Sequence, residues 1–139
     1  KGKIILICRF GEGKISYELP VLIEHVKKYQ LHLSWICDPM HGNTYLSKSN
    51  YKTRDFKKII GELEQFFHIH NINGTIPSGV HFEYTPDSVT ECLGGIRNIK
   101  ESELHEKYET VCDPRLNHEQ SIELAFIISD LINNRGGND

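Results

Sequence analysis

No CxxC pair, no basic run, no internal repeat and no apolar stretch of bilayer length occurs in these 139 residues. Each absence excludes something. The four cysteines, Cys8, Cys37, Cys92 and Cys112, are scattered, which disfavours both a structural zinc module and a disulfide framework. They fit reduced thiols in a cytoplasmic setting. The 16 basic and 19 acidic residues leave a net charge of −3, and without a basic or aromatic–basic stripe no nucleic-acid surface is expected. Lacking an apolar run of about 20 residues, the sequence offers no membrane span, and no signal peptide is expected either.

What is present is one domain's length of chain, enough to bury a useful core. Residues 3–8 are a continuous apolar, β-branched run, the pattern of a strand buried on both faces of a parallel sheet. The start at Lys1, within three residues of that strand, reads as a cut through a larger chain. A polar Gly-rich loop, residues 9–13, follows. Pro20 suits a helix's first turn, with Leu22, Ile23, Val26 and Tyr29 at helical spacing after it. Residues 32–37 read as a second strand, and 45–54 as a polar loop. Phe56, Ile59, Ile60, Leu63, Phe66, Phe67 and His70 then mark a strongly amphipathic helix.

Asn73-Gly74 and Pro77 punctuate the chain before a third strand over 79–83. A short helix is expected over 101–108. The last helix has a capping-box start, Asn117 with Gln120, and an expected core stripe of Ile122, Ala125, Phe126 and Ile132. Residues 133–137 carry its C-cap chemistry. Alternating strands and helices imply parallel βαβ units, an α/β fold. Three strands make a poor sheet alone. An incomplete (β/α)8 barrel accounts for both the strand count and the abrupt start.

Three polar clusters follow apolar segments: WICDPMHGNT (35–44), GVHFE (79–83) and CDPRLN (112–117). His81 and Glu83 alternate with Val80 and Phe82, so in a barrel strand they would face the interior near the carboxyl end, where barrel active sites are built. A Glu there is costly unless paired with a cation, and an Arg or Lys partner serves as well as a metal. His41 alone reads more readily as a surface residue, and Asp113 as a turn former before Pro114. Together, a His and two carboxylates leave open positions for substrate and water on a metal. Arg9, at a Gly-rich turn, suits a phosphate through its planar fork or a plain ion pair. Lys52 and Arg54 form a second cationic pair or a solvated helix start. Arg115 is a neighbour able to support Asp113 or form an ion pair. Trp35 reads as core. Cys37 and Cys112 read as buried inert thiols more readily than as soft ligands.

WICDPMHGNT, YKTRDF (51–56), VTECLGG (89–95) and YETVCDPRLN (108–117) together resemble the C-terminal part of the class II (plant-type) 3-deoxy-D-arabino-heptulosonate 7-phosphate (DAHP) synthases, over nearly the whole chain. The resemblance implies a (β/α)8 TIM barrel domain of which residues 1–139 supply about the last three strands and their helices. It implies condensation of phosphoenolpyruvate with erythrose 4-phosphate, the first step of the shikimate pathway to aromatic amino acids. The enol carbon attacks the aldehyde, water adds at the neighbouring carbon, and phosphate leaves by C–O cleavage. It implies a divalent metal, Mn²⁺ first with Co²⁺ or Zn²⁺ as substitutes, held by His41, Glu83 and Asp113.

A fourth family ligand, a cysteine near the first strand, has no counterpart here, so the isolated chain is expected to be inactive. Arg9 matches a phosphoenolpyruvate-binding arginine, and Lys52 and Arg54 match a motif near the substrates. His41 is assigned a second role, helping to move a proton. The full-length protein is expected to be a homo-oligomer, cytoplasmic or, in a plant, plastidial.

Two stretches depart from the family pattern. Lys14-Ile-Ser-Tyr17 lacks a usual basic residue, and Tyr84-Thr-Pro-Asp87 replaces aliphatic-Thr-Gly-Glu, with Pro86 stiffening the loop after Glu83. The alternatives are a phenazine-pathway version of the same synthase, a non-catalytic barrel fragment serving assembly or regulation, and a different metal-dependent aldolase or lyase.

Overall fold

The computed structural model describes residues 4–134, so Lys3 of the first strand run and residues 135–137 of the C-cap lie outside it. The parallel sheet has the order β1 (Ile5–Cys8), β2 (Ser34–Cys37) and β5 (Pro77–Val80). Helix α1 (Ile15–Lys28) connects β1 to β2, and α2 (Phe56–Ile72) leads into β5. Between them an antiparallel hairpin pairs β3 (Thr44–Leu46) with β4 (Lys52–Arg54). Helix α3 (His118–Asn133) closes the described chain. The fold is α/β with a parallel sheet, as the alternation implies.

Register makes the fold useful. Cys8 pairs with Cys37, and Cys37 with Val80. The three strands therefore finish in one row and release their loops on one side. Cys8, Trp35 and Cys37 point into a core with Ile15, Leu19 and Ile23 of α1 and Ile59, Leu63 and Phe66 of α2. The amphipathic stripe of α2 sits where its spacing puts it, with Asp55 as N-cap accepting from Lys57 N–H. Trp35 is core. The Asn117–Gln120 capping box of α3 forms in both directions.

Several expectations are corrected. β1 is buried on one face only: Ile5 and Ile7 remain 56% and 46% exposed, because the described helices cover just one side of the sheet. α1 begins at Ile15, which puts Pro20 inside the helix, and Tyr29 is its exposed C-cap. Residues 44–54 are a hairpin, closed by Ser47 N–H to Tyr51 O and by Asn50 at φ 67°. The third strand lies earlier, ending at Val80. His81 N–H still reaches Cys37 O at 2.8 Å, after which the chain leaves the sheet.

Instead of a helix over 101–108 there is one 3₁₀ turn, Glu101–Glu103. On α3 the inner stripe is Gln120 and Leu124, with Ile128 and Leu131 packed against the core. Ile122, Phe126 and Ile132 face outward. The apolar residues of α3 fill more than one face, and spacing alone selected the wrong one.

All four cysteines are free thiols. Burial pushes the Cys8 thiol up to about 11 and Cys92 to about 12, and raises Cys37 well above its ordinary value. The thiolate is the reactive form. At neutral pH a thiol reagent should therefore label exposed Cys112 at once and the other three only after unfolding; mass-resolved labelling that finds two or more fast sites would contradict this packing.

Candidate metal centre

The loops beyond the strand ends bring His41, Glu83 and Asp113 together. One ligand atom from each lies within 4.8 Å of the others. His41 Nε2 is 3.6 Å from Glu83 Oε1 and 3.8 Å from Asp113 Oδ2. His41 sits in a 3₁₀ turn just past β2, and Glu83 in the segment after β5. Asp113 precedes Leu116, which makes a lone parallel bridge with Tyr84 beside β5.

Asp38, fully buried at the end of β2, orients the histidine. It accepts from His41 Nδ1 at 2.7 Å and from the backbone N–H groups of Met40 and His41. With Nδ1 carrying the proton toward that carboxylate, Nε2 keeps its lone pair and faces the two acidic side chains. His81, exposed, stacks near the His41 ring at 6.3 Å between centroids.

Each carboxylate is divided between two duties. Arg54 Nη1 donates to Glu83 Oε2 at 2.6 Å, leaving Oε1 toward His41. Lys52 Nζ pairs with Asp113 Oδ1, leaving Oδ2 toward His41. The hairpin does this: Lys52 and Arg54 are two apart on β4 and share a face, while Thr53 turns inward and donates to Glu91 O. Arg54 is fully buried, bonded also to Thr44 Oγ1 and Pro114 O. Its Nη2 is buried with no hydrogen-bond partner among the described residues. Arg9 is half-exposed and ion-paired to Asp38 through Nε at 2.9 Å.

Free carboxylate oxygens, a pre-set imidazole nitrogen and an unmatched guanidinium N–H are a donor set that could hold a divalent cation beside an anionic ligand. Neither proposed cysteine joins the cluster. Cys37 is buried in the core and Cys112 points to solvent.

Three supporting residues escaped the sequence reading besides Asp38. Glu91, buried, takes Arg115 in a two-pronged pair at 2.6 and 3.0 Å and accepts from the backbone N–H groups of Glu109, Thr110 and Arg115. That pins both ends of the loop carrying Asp113, and it answers the question about Arg115 in favour of an ion pair. Glu62 and Asn43 link the Arg9 loop to the His41 turn. Glu62 carried a signal, an acid adjoining the apolar stripe of α2. The partner of Glu91, 24 residues away, carried none.

A His–carboxylate cluster at the carboxyl ends of parallel strands is the kind of site α/β metalloenzymes use. Residues 1–129 match the Class-II DAHP synthetase family, to which the chain belongs. It is 47% identical over 131 residues to phospho-2-dehydro-3-deoxyheptonate aldolase AroG of Mycolicibacterium smegmatis, covering 94% of this chain and 28% of the relative. The like-named protein of Streptomyces coelicolor is 47% identical over 130 residues, 94% of this chain and 29% of the relative. That of Streptomyces lividans is 45% identical, with 94% of this chain and 88% of the relative covered. The chain thus spans less than a third of the first two relatives' length.

The hydrogen bond from Lys52, aided by the charges of Lys52 and Arg54, holds the Asp113 carboxyl below its ordinary value. A depressed carboxyl contributes stability that is full above its unfolded value of about 3.9 and is lost as pH falls through the folded value. Lys52→Ala should therefore move the Asp113 titration upward in the metal-free protein, and the variant, less stable near neutral pH, should lose less further stability on acidification. Carboxyl-carbon NMR reads this directly; an unchanged midpoint would remove Lys52 as the cause.

Proposed function

We propose that the whole protein is a DAHP synthase, condensing phosphoenolpyruvate with erythrose 4-phosphate and releasing phosphate in the first step of aromatic biosynthesis. The observation that carries this reading is the meeting of His41, Glu83 and Asp113 at the strand ends, ringed by Arg9, Lys52 and Arg54. The parallel strands with helices on one face are read as the last part of a (β/α)8 barrel, whose active sites lie on that side. The bare face of the sheet, with Ile5 and Ile7, is then the barrel interior.

His41 Nε2, Glu83 and Asp113 would hold the metal, Mn²⁺ first and Co²⁺ or Zn²⁺ as substitutes. When bound, it supplies Lewis acidity for an aldehyde oxygen. Arg9 grips the phosphate of phosphoenolpyruvate, and its pairing with Asp38 fixes where the guanidinium lies. Lys52 and Arg54 steady the two carboxylates and add positive charge for the phosphorylated substrates. Asp38 occupies Nδ1 of His41, so one nitrogen is left to serve either a metal or a proton. Two acidic side chains facing it suit a metal. In the metal's absence they suit a proton on the same nitrogen, so the proposal keeps for His41 a part in moving a proton. The full-length protein is read as a homo-oligomer in the cytoplasm, or the plastid of a plant, with neither nucleic acid nor membrane among its partners.

The test is phosphoenolpyruvate consumption by the full-length protein with erythrose 4-phosphate and Mn²⁺, beside its His41→Ala variant. Activity should be present in the first. In the second it should fall about a hundredfold or more, the loss of several kcal/mol of charge stabilisation. A folded, metal-loaded full-length protein without activity would overturn the reading.

A further inference from the structure

Glu62, on α2, is fully buried, and no cation pairs with it among the described residues. Its partners are neutral donors. Oε1 accepts from the backbone N–H groups of Phe10 and Gly11, both at 3.0 Å, and Oε2 accepts from Asn43 Nδ2 at 2.7 Å. Burial accordingly raises its carboxyl above the ordinary value. Burying an acid without a cation is a costly way to attach a helix to a loop.

What the acid reaches explains its presence. Phe10 and Gly11 directly follow Arg9, and Asn43 lies two residues after His41. The orientation of Asn43 is fixed independently, since Nδ2 also donates to Pro39 O and Oδ1 accepts from Glu12 N–H. Above this clamp the two loops touch backbone to backbone. A Cβ on Gly42 would stand 2.3 Å from Gly11 N, and one on Gly11 2.6 Å from Gly42 O. The loop of Arg9 and the turn of His41 therefore share one anchor with nothing between them.

We propose that Glu62 is a positioning residue that keeps the Arg9 loop and the His41 turn in mutual register, so that phosphate binding and metal binding depend on the same buried carboxylate. The inference rests on the functional reading above. Polarity makes it testable. Glu62→Gln keeps one oxygen for the Phe10 and Gly11 amides but turns an NH₂ toward Asn43 Nδ2, donor against donor. Glu62→Met removes both sides of the clamp. Leu63→Ala, one residue along the same helix, damages packing and leaves the clamp.

In the full-length protein, Mn²⁺ affinity is measured by electron paramagnetic resonance titration, phosphoenolpyruvate affinity by calorimetry, and Tm alongside. Glu62→Gln should weaken Mn²⁺ about tenfold, the scale of lost support around a metal ligand, with a smaller effect on phosphoenolpyruvate. Glu62→Met should weaken both. Leu63→Ala should lower Tm and leave both affinities within about twofold, since it touches no support of a ligand. Glu62 variants that bind both ligands like wild type, whatever their Tm, overturn the proposal. If Glu62→Met does not fold, Glu62→Gln and Asn43→Ser decide, and unchanged Mn²⁺ affinity in both overturns it. A wild-type protein that binds neither ligand overturns the functional reading and this inference with it.

Discussion

Buried carboxylates that accept backbone N–H groups are the interaction on which the candidate site depends. Asp38, Glu62 and Glu91 are each fully buried, and each ties down a different loop at the strand ends. An ionised acceptor forms stronger hydrogen bonds than a neutral one, and in a dry setting the bonds cannot be traded for water. The loops have little regular structure of their own. Their shape comes from acids planted in or near the strands and helices: one at the end of β2, one in the middle of α2, one in the segment after Thr90. Removing any of the three would strand amides inside the protein.

The sheet supplies the other half of the arrangement. Parallel pairing that aligns Cys8, Cys37 and Val80 delivers Arg9, Asp38 and His81 to a common level, one residue further on. From there the chain has a few residues in which to place His41 and Glu83. The β3–β4 hairpin then enters from the side, carrying its two cations on one face. The division of labour is clear. The strands set height, the buried acids set loop shape, and the hairpin sets charge. Both acidic side chains of the cluster are left with one oxygen committed to a cation and one directed inward.

Much of this was legible in the sequence, for definable reasons. The stripe of α2 and the Asn117 cap are local patterns within one or two helical turns, and both form. The clustering of His41, Glu83 and Asp113 was suggested by strand-end positions and sharpened by family resemblance. Long-range partners were not legible. Nothing at Glu91 announces Arg115, and nothing at Glu62 announces the amides of Phe10 and Gly11, more than 50 residues back. The hairpin was missed because its strands are three residues each, so that alternation had no room to show. The facing of α3 was misjudged because apolar residues occur on more than one side of it.

The Gly11–Gly42 contact has a further consequence, for how such a site can change over generations. The gap between the arginine loop and the histidine turn is set by two peptide planes in contact, with no side chain as spacer. A spacing of this kind has no fine adjustment. The smallest available change is a whole methyl group, which does not fit on either side. Variation among descendants is thereby channelled away from the separation of the two loops and toward their rims, such as the Tyr84–Asp87 stretch and the tip of the hairpin, where a substitution can alter reach without moving the centre.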